Sequence, residues 1–119
     1  TIDKRCVPTL TQYFDCTYIG AKNSPLYRFG VCMNKMYDGM MSGKPIILAI
    51  DAPPTPVSRE DCGITIRPEN VDDIVAAIQK IRSMTESERA EMGQRGRDEI
   101  LAHNTYKRLA SDFLDVMKN

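Results

Sequence analysis

The sequence lacks a net charge, a tryptophan and any long apolar run. Its 119 residues carry 16 basic and 16 acidic side chains, so electrostatics gives no reason to expect nucleic acid or an anionic membrane as a partner. The longest apolar run, residues 46–50, is far too short to cross a bilayer, and no signal peptide is visible. We therefore expect a cytoplasmic globular domain, with peripheral binding at the inner face of the membrane left open for the full-length protein.

Clustered metal ligands are missing as well. Cys6, Cys16, Cys32 and Cys62 form no C-x-x-C pair, and the one histidine, His103, is distant from all of them. Zinc sites normally draw on close ligand pairs, so we predict no metal and no cofactor. Four reduced thiols fit a cytosolic protein. Cys32 lies two residues before a predicted helix, and we interpret it as a core residue rather than a reactive thiol.

Three short segments have the composition of strands. Residues 15–21 predict a short buried strand, which follows a short helix within residues 7–14. Residues 45–50 are apolar on both faces, as in a central parallel strand, and residues 63–68 predict a third strand. Helical patterns separate these segments. The order indicates an α/β domain with a Rossmann-like parallel sheet and flanking helices.

Helix boundaries follow from capping residues. Asn34 suits an N-cap and Gly43 suits the position after the helix end, which predicts a two-turn helix between the first two strands. Asn70 caps a helix with an apolar stripe, and Thr85 opens a capping box. The stripe after Asn70 comprises Val71, Ile74, Val75, Ile78 and Ile81. The helix after Thr85 is predicted to be charged, largely solvated and weakened by Gly93 and Gly96. The last helix has one apolar face, formed by Tyr106, Leu109, Ala110, Phe113, Leu114 and Met117.

The loop after the first strand leads into a helix start that would suit a phosphate. Free backbone N–H groups and the positive dipole end meet there, and Lys35 adds a charge. Asp38, one turn later, would accept hydrogen bonds from vicinal hydroxyls. Arg28 in the same loop would reach a phosphate, or would remain a solvated arginine. An ordinary surface helix with a turn glycine at Gly30 is the competing interpretation of this pattern.

A resemblance sharpens this prediction. The run Ser24-Pro-Leu-Tyr-Arg-Phe-Gly30, followed by Asn34-Lys-Met-Tyr-Asp-Gly-Met-Met-Ser-Gly-Lys-Pro-Ile-Ile47, resembles the donor-site signature of family 4 GT-B glycosyltransferases. The similarity continues through residues 62–68 and 92–97. It covers nearly the whole chain in the same order, and its central segment is fairly specific.

The resemblance implies a role for the chain and for its residues. Such enzymes are two-domain, usually retaining and metal-independent transferases, whose C-terminal half holds a nucleoside-diphosphate sugar, here a UDP- or GDP-linked one. Asp38 would bind the ribose hydroxyls, and Asn34 and Lys35 would meet the diphosphate. Gly30 stands where many members carry an acidic residue facing the donor sugar, and Arg28 is a further donor-site candidate. The catalytic residues are unknown.

The resemblance also implies that much of such an enzyme lies outside residues 1–119. The chain, which starts at Thr1 rather than a methionine, would hold the last three of six strands and the closing helices of the donor domain. The acceptor domain and the first strands would be absent, so we expect the fragment to be inactive alone. The full enzyme would transfer a sugar to a glycan or a lipid-linked acceptor, as in cell-envelope polysaccharide biosynthesis.

Two other functions and one association follow from the same residues. A nucleotide-sugar epimerase of this fold would need histidine near the sugar, whereas His103 lies at a predicted helix junction. A non-catalytic α/β binding module is the other alternative. If its outer neighbour is missing, the strand within residues 16–21 offers an unpaired edge, through which we predict self-association.

Overall fold

Three parallel strands form the centre of the computed structural model, which describes residues 2–118. They are β1 (Thr17–Gly20), β2 (Ile46–Ala49) and β3 (Gly63–Ile66), paired in the order β1-β2-β3. The predicted α/β fold class with a parallel sheet is confirmed at this level, and all three predicted strands are present.

β2 is the centre of the core because helices cover both of its faces. All four of its residues are buried. Ile46 and Leu48 belong to one apolar cluster, and Ile47 belongs to a second cluster on the other face, as the two-residue period of a strand requires. The prediction of a doubly buried central strand is confirmed.

β1 differs from the prediction of a buried strand. Its residues alternate between half-buried and exposed, and the Tyr18 side chain is 52% exposed. The prediction is wrong on burial because, among residues 2–118, β1 pairs only with β2 and its other side stays open.

The described part of the chain contains six α-helices. They are α1 (Val7–Thr11), α2 (Asn34–Met41), α3 (Pro56–Arg59), α4 (Val71–Ser83), α5 (Glu86–His103) and α6 (Tyr106–Lys118). Short 3-10 turns occur at Lys4–Cys6 and Pro25–Phe29. The larger core cluster contains Met36 and Met40 of α2 together with Ile100 of α5, whereas Ala77 and Ile81 of α4 pack on the opposite face. No helix among the described residues is long and apolar enough to span a membrane.

The capping predictions are confirmed at three of four positions. Gly43 follows the end of α2 with φ +70, a left-handed conformation that glycine adopts without strain. Asn70 Oδ1 accepts a bond from Asp73 N at 2.9 Å. Thr85 and Glu88 form the reciprocal capping box. Asn34 is instead the first helical residue, and Met33 occupies the N-cap without a side-chain bond.

The surfaces of two predicted helices agree with the structure in part. α5 is largely solvated, as predicted, since 11 of its 18 residues are exposed, but Gly93 and Gly96 are buried where the helix packs on the rest of the domain. The predicted α4 stripe is only partly inward. Ile81 is buried, but Val71, Val75 and Ile78 are 72%, 46% and 50% exposed.

Candidate functional site at the carboxyl edge of the sheet

Loops from two strands meet at the carboxyl edge of the sheet, where open α/β folds bind ligands. The segment after β1 is held by Ala21, whose N–H donates to Ala49 O at 2.9 Å. Two residues on, Asn23 N–H donates to the Glu69 carboxylate at 3.0 Å. Glu69 follows β3, so this bond connects the loops on either side of β2. The loop leading to α2 is thereby anchored at its start.

The amino end of α2 opens at this edge. Met33 O accepts from the N–H groups of Met36 and Tyr37, so the first turn is formed. The cap provides no side-chain acceptor, and Asn34 and Lys35 are exposed. The first N–H groups of a helix have no acceptor within it, and together with the dipole they favour an anion. Lys35 is the second helical residue rather than the predicted first one.

Lys35 and Asp38 line one cleft of about 510 Å³. The cleft lies between α1, β1 and α2, its lining includes Thr17, Ile19 and Gly39, and it extends along α2 to Ser42, towards the amino edge of the sheet. Among residues 2–118, the Lys35 and Asp38 side chains form no hydrogen bond or ion pair. Both are therefore available to a ligand, as a binding role requires.

The other three predicted site residues lie outside that cleft. Asn34 is exposed at the start of α2. The Arg28 guanidinium stacks on the Phe29 ring, 4.6 Å from its centroid, so a cation–π contact orients it. Gly30 has φ +119, and a Cβ added to it would meet nothing within 4 Å. Space therefore allows a side chain at residue 30, but the backbone conformation disfavours one.

One buried hydroxyl in the cleft has no partner. Thr17 Oγ1 is inaccessible to solvent and forms no hydrogen bond within the described residues, although Thr17 lines the cleft floor. An unsatisfied buried hydroxyl costs free energy. A polar group bound in the cleft would offer it a partner.

Charge in the cleft is predominantly positive. Lys4 and Arg97 line it together with Lys35, and Asp38 is the acidic residue among its lining. The sequence analysis missed Lys4 and Arg97. Lys4 follows no motif that would flag it, but Arg97 lies within the Gly93 to Arg97 segment of α5, where two glycines signal a close approach to another part of the fold.

A second group at the carboxyl edge is already paired. Arg67, the residue after β3, binds Asp73 of α4 through Nε at 2.7 Å and Nη2 at 2.9 Å. The hydrogen bonds from Arg67 lower the pKa of Asp73. This fork orients the Arg67 guanidinium towards Asp73 and balances its charge beside the adjoining cleft of about 460 Å³.

Two acidic residues lie at the opposite, amino edge of the sheet. Glu60 and Asp61 precede β3, because α3 carries the chain from the carboxyl end of β2 to the amino end of β3. Arg95 of α5 donates to the Asp61 backbone oxygen at 2.7 Å and to its carboxylate at 3.1 Å. His103, as predicted, ends α5, and its Nε2 lies 3.9 Å from a Glu99 carboxylate oxygen.

The four thiols are free and have different environments. Cys6 and Cys32 are exposed, so the interpretation of Cys32 as a core residue is wrong. Cys62 is buried, and desolvation raises the pKa of its thiol from 9.0 to about 11. Burial also raises the pKa of Cys16. Within residues 2–118, no cluster of three or more histidine, cysteine or acidic side chains is arranged to hold a metal ion.

Comparison with known proteins adds no relative: no family model, no curated protein and no solved structure matches the chain.

Proposed function

We propose that the chain is the donor-binding part of a GT-B glycosyltransferase that uses a nucleoside-diphosphate sugar. The observation that carries the proposal is the pairing of Lys35 and Asp38 in one cleft, at the amino end of a helix that opens at the carboxyl edge of a parallel sheet. A cation and helix N–H groups suit a diphosphate. A carboxylate one turn further along the helix suits a ribose diol.

Each part of the donor has a proposed contact. The diphosphate lies against the N–H groups of Asn34 and Lys35, with the Lys35 ammonium as counter-charge. The Asp38 carboxylate accepts bonds from the ribose hydroxyls. Gly30 leaves the sugar without a carboxylate from that loop position, so the proposal assigns sugar recognition to backbone groups. Acceptor binding and the transfer step are assigned to no residue of this chain.

The proposal extends to the architecture of the sheet. In a complete donor domain a further parallel strand would pair with the open side of β1. Thr17 N–H and Ala21 N–H donate to Pro45 O and Ala49 O of the β2 segment, so by alternation the Tyr18 and Gly20 N–H groups point outward. Unpaired outward N–H groups are a template for another strand.

The edge is tested by sedimentation velocity across a range of concentrations. We expect reversible self-association, which Tyr18→Pro abolishes because proline removes an outward donor while the bonds to β2 remain. A wild-type chain that stays monomeric at high concentration would argue against an open β1 edge. Tyr18→Thr, which keeps the N–H group, serves as the control.

Donor binding is tested by NMR titration of the chain with UDP, GDP and ADP. We expect saturable shifts at the amides of Asn34, Lys35 and Asp38 with one of the nucleotides, which would identify the preferred base. Asp38→Asn should weaken that binding about tenfold, since a hydrogen bond to a charged group contributes about 1.5 kcal/mol or more.

A matched control separates the site from general charge effects. Asp72 is an exposed aspartate on α4, away from the cleft, so Asp72→Asn makes the same chemical change elsewhere. Equal nucleotide affinity in Asp38→Asn and Asp72→Asn would exclude the proposed role of Asp38. Shifts centred on another surface would exclude the site itself.

A further inference from the structure

A second cleft, of about 470 Å³, lies at the amino edge of the sheet. It forms where α2 ends and α5 begins, and its lining includes the turn residues Gly43 and Lys44 and the α5 residues Arg89 and Arg97. It does not include Lys35 or Asp38. The cleft therefore differs from the proposed donor site in the residues that would bind a ligand, although Gln12, Ser42 and Arg97 line both clefts.

The half-buried cations of the protein converge on this cleft. Of its 16 basic residues, all of which lie within residues 2–118, Lys44, Arg89 and Arg97 are half-buried and the other thirteen are exposed. All three line the same cleft. Basic side chains are rarely buried unless they are paired. Half-buried basic residues scattered over the surface would not be expected to line one cleft.

Two of these three cations have no partner. Arg89 is held by the Met84 carbonyl oxygen, to which its Nη1 donates at 2.6 Å, and by a long contact of 3.9 Å to Asp15. The side-chain head groups of Lys44 and Arg97 form no hydrogen bond or ion pair within residues 2–118. Desolvated charges without a counter-charge are costly, and a bound anion would supply one.

Neighbouring groups do not neutralise the cleft. Asp15 and Glu86 line it, but the Asp15 side chain is 84% exposed and Glu86 is also exposed. The carboxyl end of α2 and the amino end of α5 face the cleft together, so their opposite dipole ends offset each other. The half-buried cations therefore decide its sign, which is positive.

We propose that this cleft binds a phosphate group of a small soluble molecule, with Lys44 and Arg97 as its principal contacts. An arginine guanidinium matches phosphate geometry and a lysine ammonium adds a point charge. Arg89, already fixed by Met84 and Asp15, contributes charge from a constant position. Gln94, whose Nε2 donates to Asp98 at 2.7 Å, lies in the lining and keeps a second N–H group for the anion.

The site is tested by NMR titration with inorganic phosphate at fixed ionic strength. We expect saturable shifts at the amides of Gly43, Lys44 and Arg97. Arg97→Gln should weaken binding about tenfold through the loss of a charge-assisted contact, and Lys44→Gln should weaken it similarly. Lys44→Gln also provides the test if Arg97→Gln fails to fold.

Two controls make the result specific. Arg82 is exposed on α4, so Arg82→Gln removes one positive charge at a remote position and should leave phosphate affinity unchanged. Lys35→Gln removes a proposed donor contact and should leave the phosphate affinity reported by the Gly43 and Lys44 amides unchanged, which separates this site from phosphate bound at the start of α2. Equal weakening at these amides in Arg97→Gln and Arg82→Gln, or loss of their shifts in Lys35→Gln, would overturn the proposal.

Discussion

The two C-terminal helices, α5 and α6, both pack differently from what their sequence patterns indicate. α5 is rich in charge and contains two glycines, yet Met92, Gly93, Gly96 and Ile100 are buried. α6 has the more regular apolar face, yet none of its described side chains is buried. Phe113 on that face is 67% exposed. Apolar periodicity thus identifies a helix without identifying what the helix packs against.

Backbone approach explains the burial of α5. A Cβ added to Gly93 would overlap the Gly43 carbonyl oxygen and would lie 2.8 Å from Lys44 Cα. At Gly96 a Cβ would lie 3.0 Å from Cys62 Cβ. Because glycine has no side chain, α5 can contact the turn between α2 and β2. Larger apolar residues at these positions would push the helix away from that turn.

α6 projects from the domain. The radius of gyration is 15.3 Å, against about 13.5 Å for a compact chain of this length. An isolated helix of 13 residues is marginal in water, because helix nucleation is costly. Because the apolar face of α6 is exposed, tertiary packing stabilises this helix little. The local stability of α6 should therefore be lower than that of α5.

The largest expected effect is at the glycine contact of α5. Gly93→Ala should lower the free energy of unfolding by about 3 kcal/mol, since the clash is with backbone and cannot be relieved by a rotamer change. Urea denaturation would measure it.

Gly96→Ala is the matched comparison for Gly93→Ala. Its close contact is to the Cys62 side chain, and alanine recovers up to about 1 kcal/mol of helix propensity, so the net loss should be much smaller. Equal stability of Gly93→Ala and wild type would remove the close-approach explanation for α5.

Core truncation should separate the packed part of the domain from α6. Met40 is 0% exposed, so Met40→Ala should cost about 3 kcal/mol through lost burial and a cavity. Phe113→Ala in α6 should change the unfolding free energy by less than about 0.5 kcal/mol at dilute concentration. Both values come from denaturant titrations at matched protein concentration. A comparable cost for the two substitutions would mean that α6 is packed.

The caps of the two helices offer a finer comparison. Thr85 Oγ1 accepts from Glu88 N at 3.2 Å, and Thr105 Oγ1 accepts from Arg108 N at 3.3 Å. Thr85→Ala should cost about 1 kcal/mol of global stability. Thr105→Ala should mainly increase amide exchange within α6, because local fraying does not report on global unfolding. A full global cost at Thr105 would contradict the picture of a loosely attached α6.

The smallest expected effect concerns the Cys62 thiol beneath α5. Because its folded pKa is raised above 9.0, to about 11, its contribution to stability is complete below about pH 9 and is lost as pH rises through 11.

At pH 8 a thiol reagent should modify exposed Cys32 rapidly and Cys62 only on unfolding. Rapid modification of Cys62 in the folded protein, followed by peptide mapping, would indicate that α5 opens readily.

Much of the fold could be predicted from local chemistry. The apolar run of β2 indicated a central strand, and Asn70, Thr85 and Gly43 marked helix ends, because capping and left-handed turns depend on a few neighbouring residues. Of the candidate site, Lys35 and Asp38 line one cleft, and their predicted contacts with a nucleotide remain a prediction. The stacking of Arg28 on Phe29 was not predicted. Both residues lie in a loop, where no periodic pattern indicates which side chains meet.

Long-range partners could not be predicted in the same way. Nothing near Asp61 in the sequence indicates Arg95 as its partner, and nothing near Lys44 indicates Arg97. These pairs come together only because α3 reverses the chain and α5 docks on the turn after α2. The proposed anion site and the positive character of the cleft lined by Lys35 and Asp38 therefore emerged only from the structure.

The sequence by itself determined the α/β class, the three strands and most helix boundaries, since these depend on periodicity and capping within a few residues. The tertiary structure decided which surfaces are buried. It placed glycine-rich α5 against the domain and left apolar α6 exposed, because burial depends on the shape of the facing surface as well as on composition. It also decided which charges meet, because charges distant in the sequence become neighbours only when the helices dock.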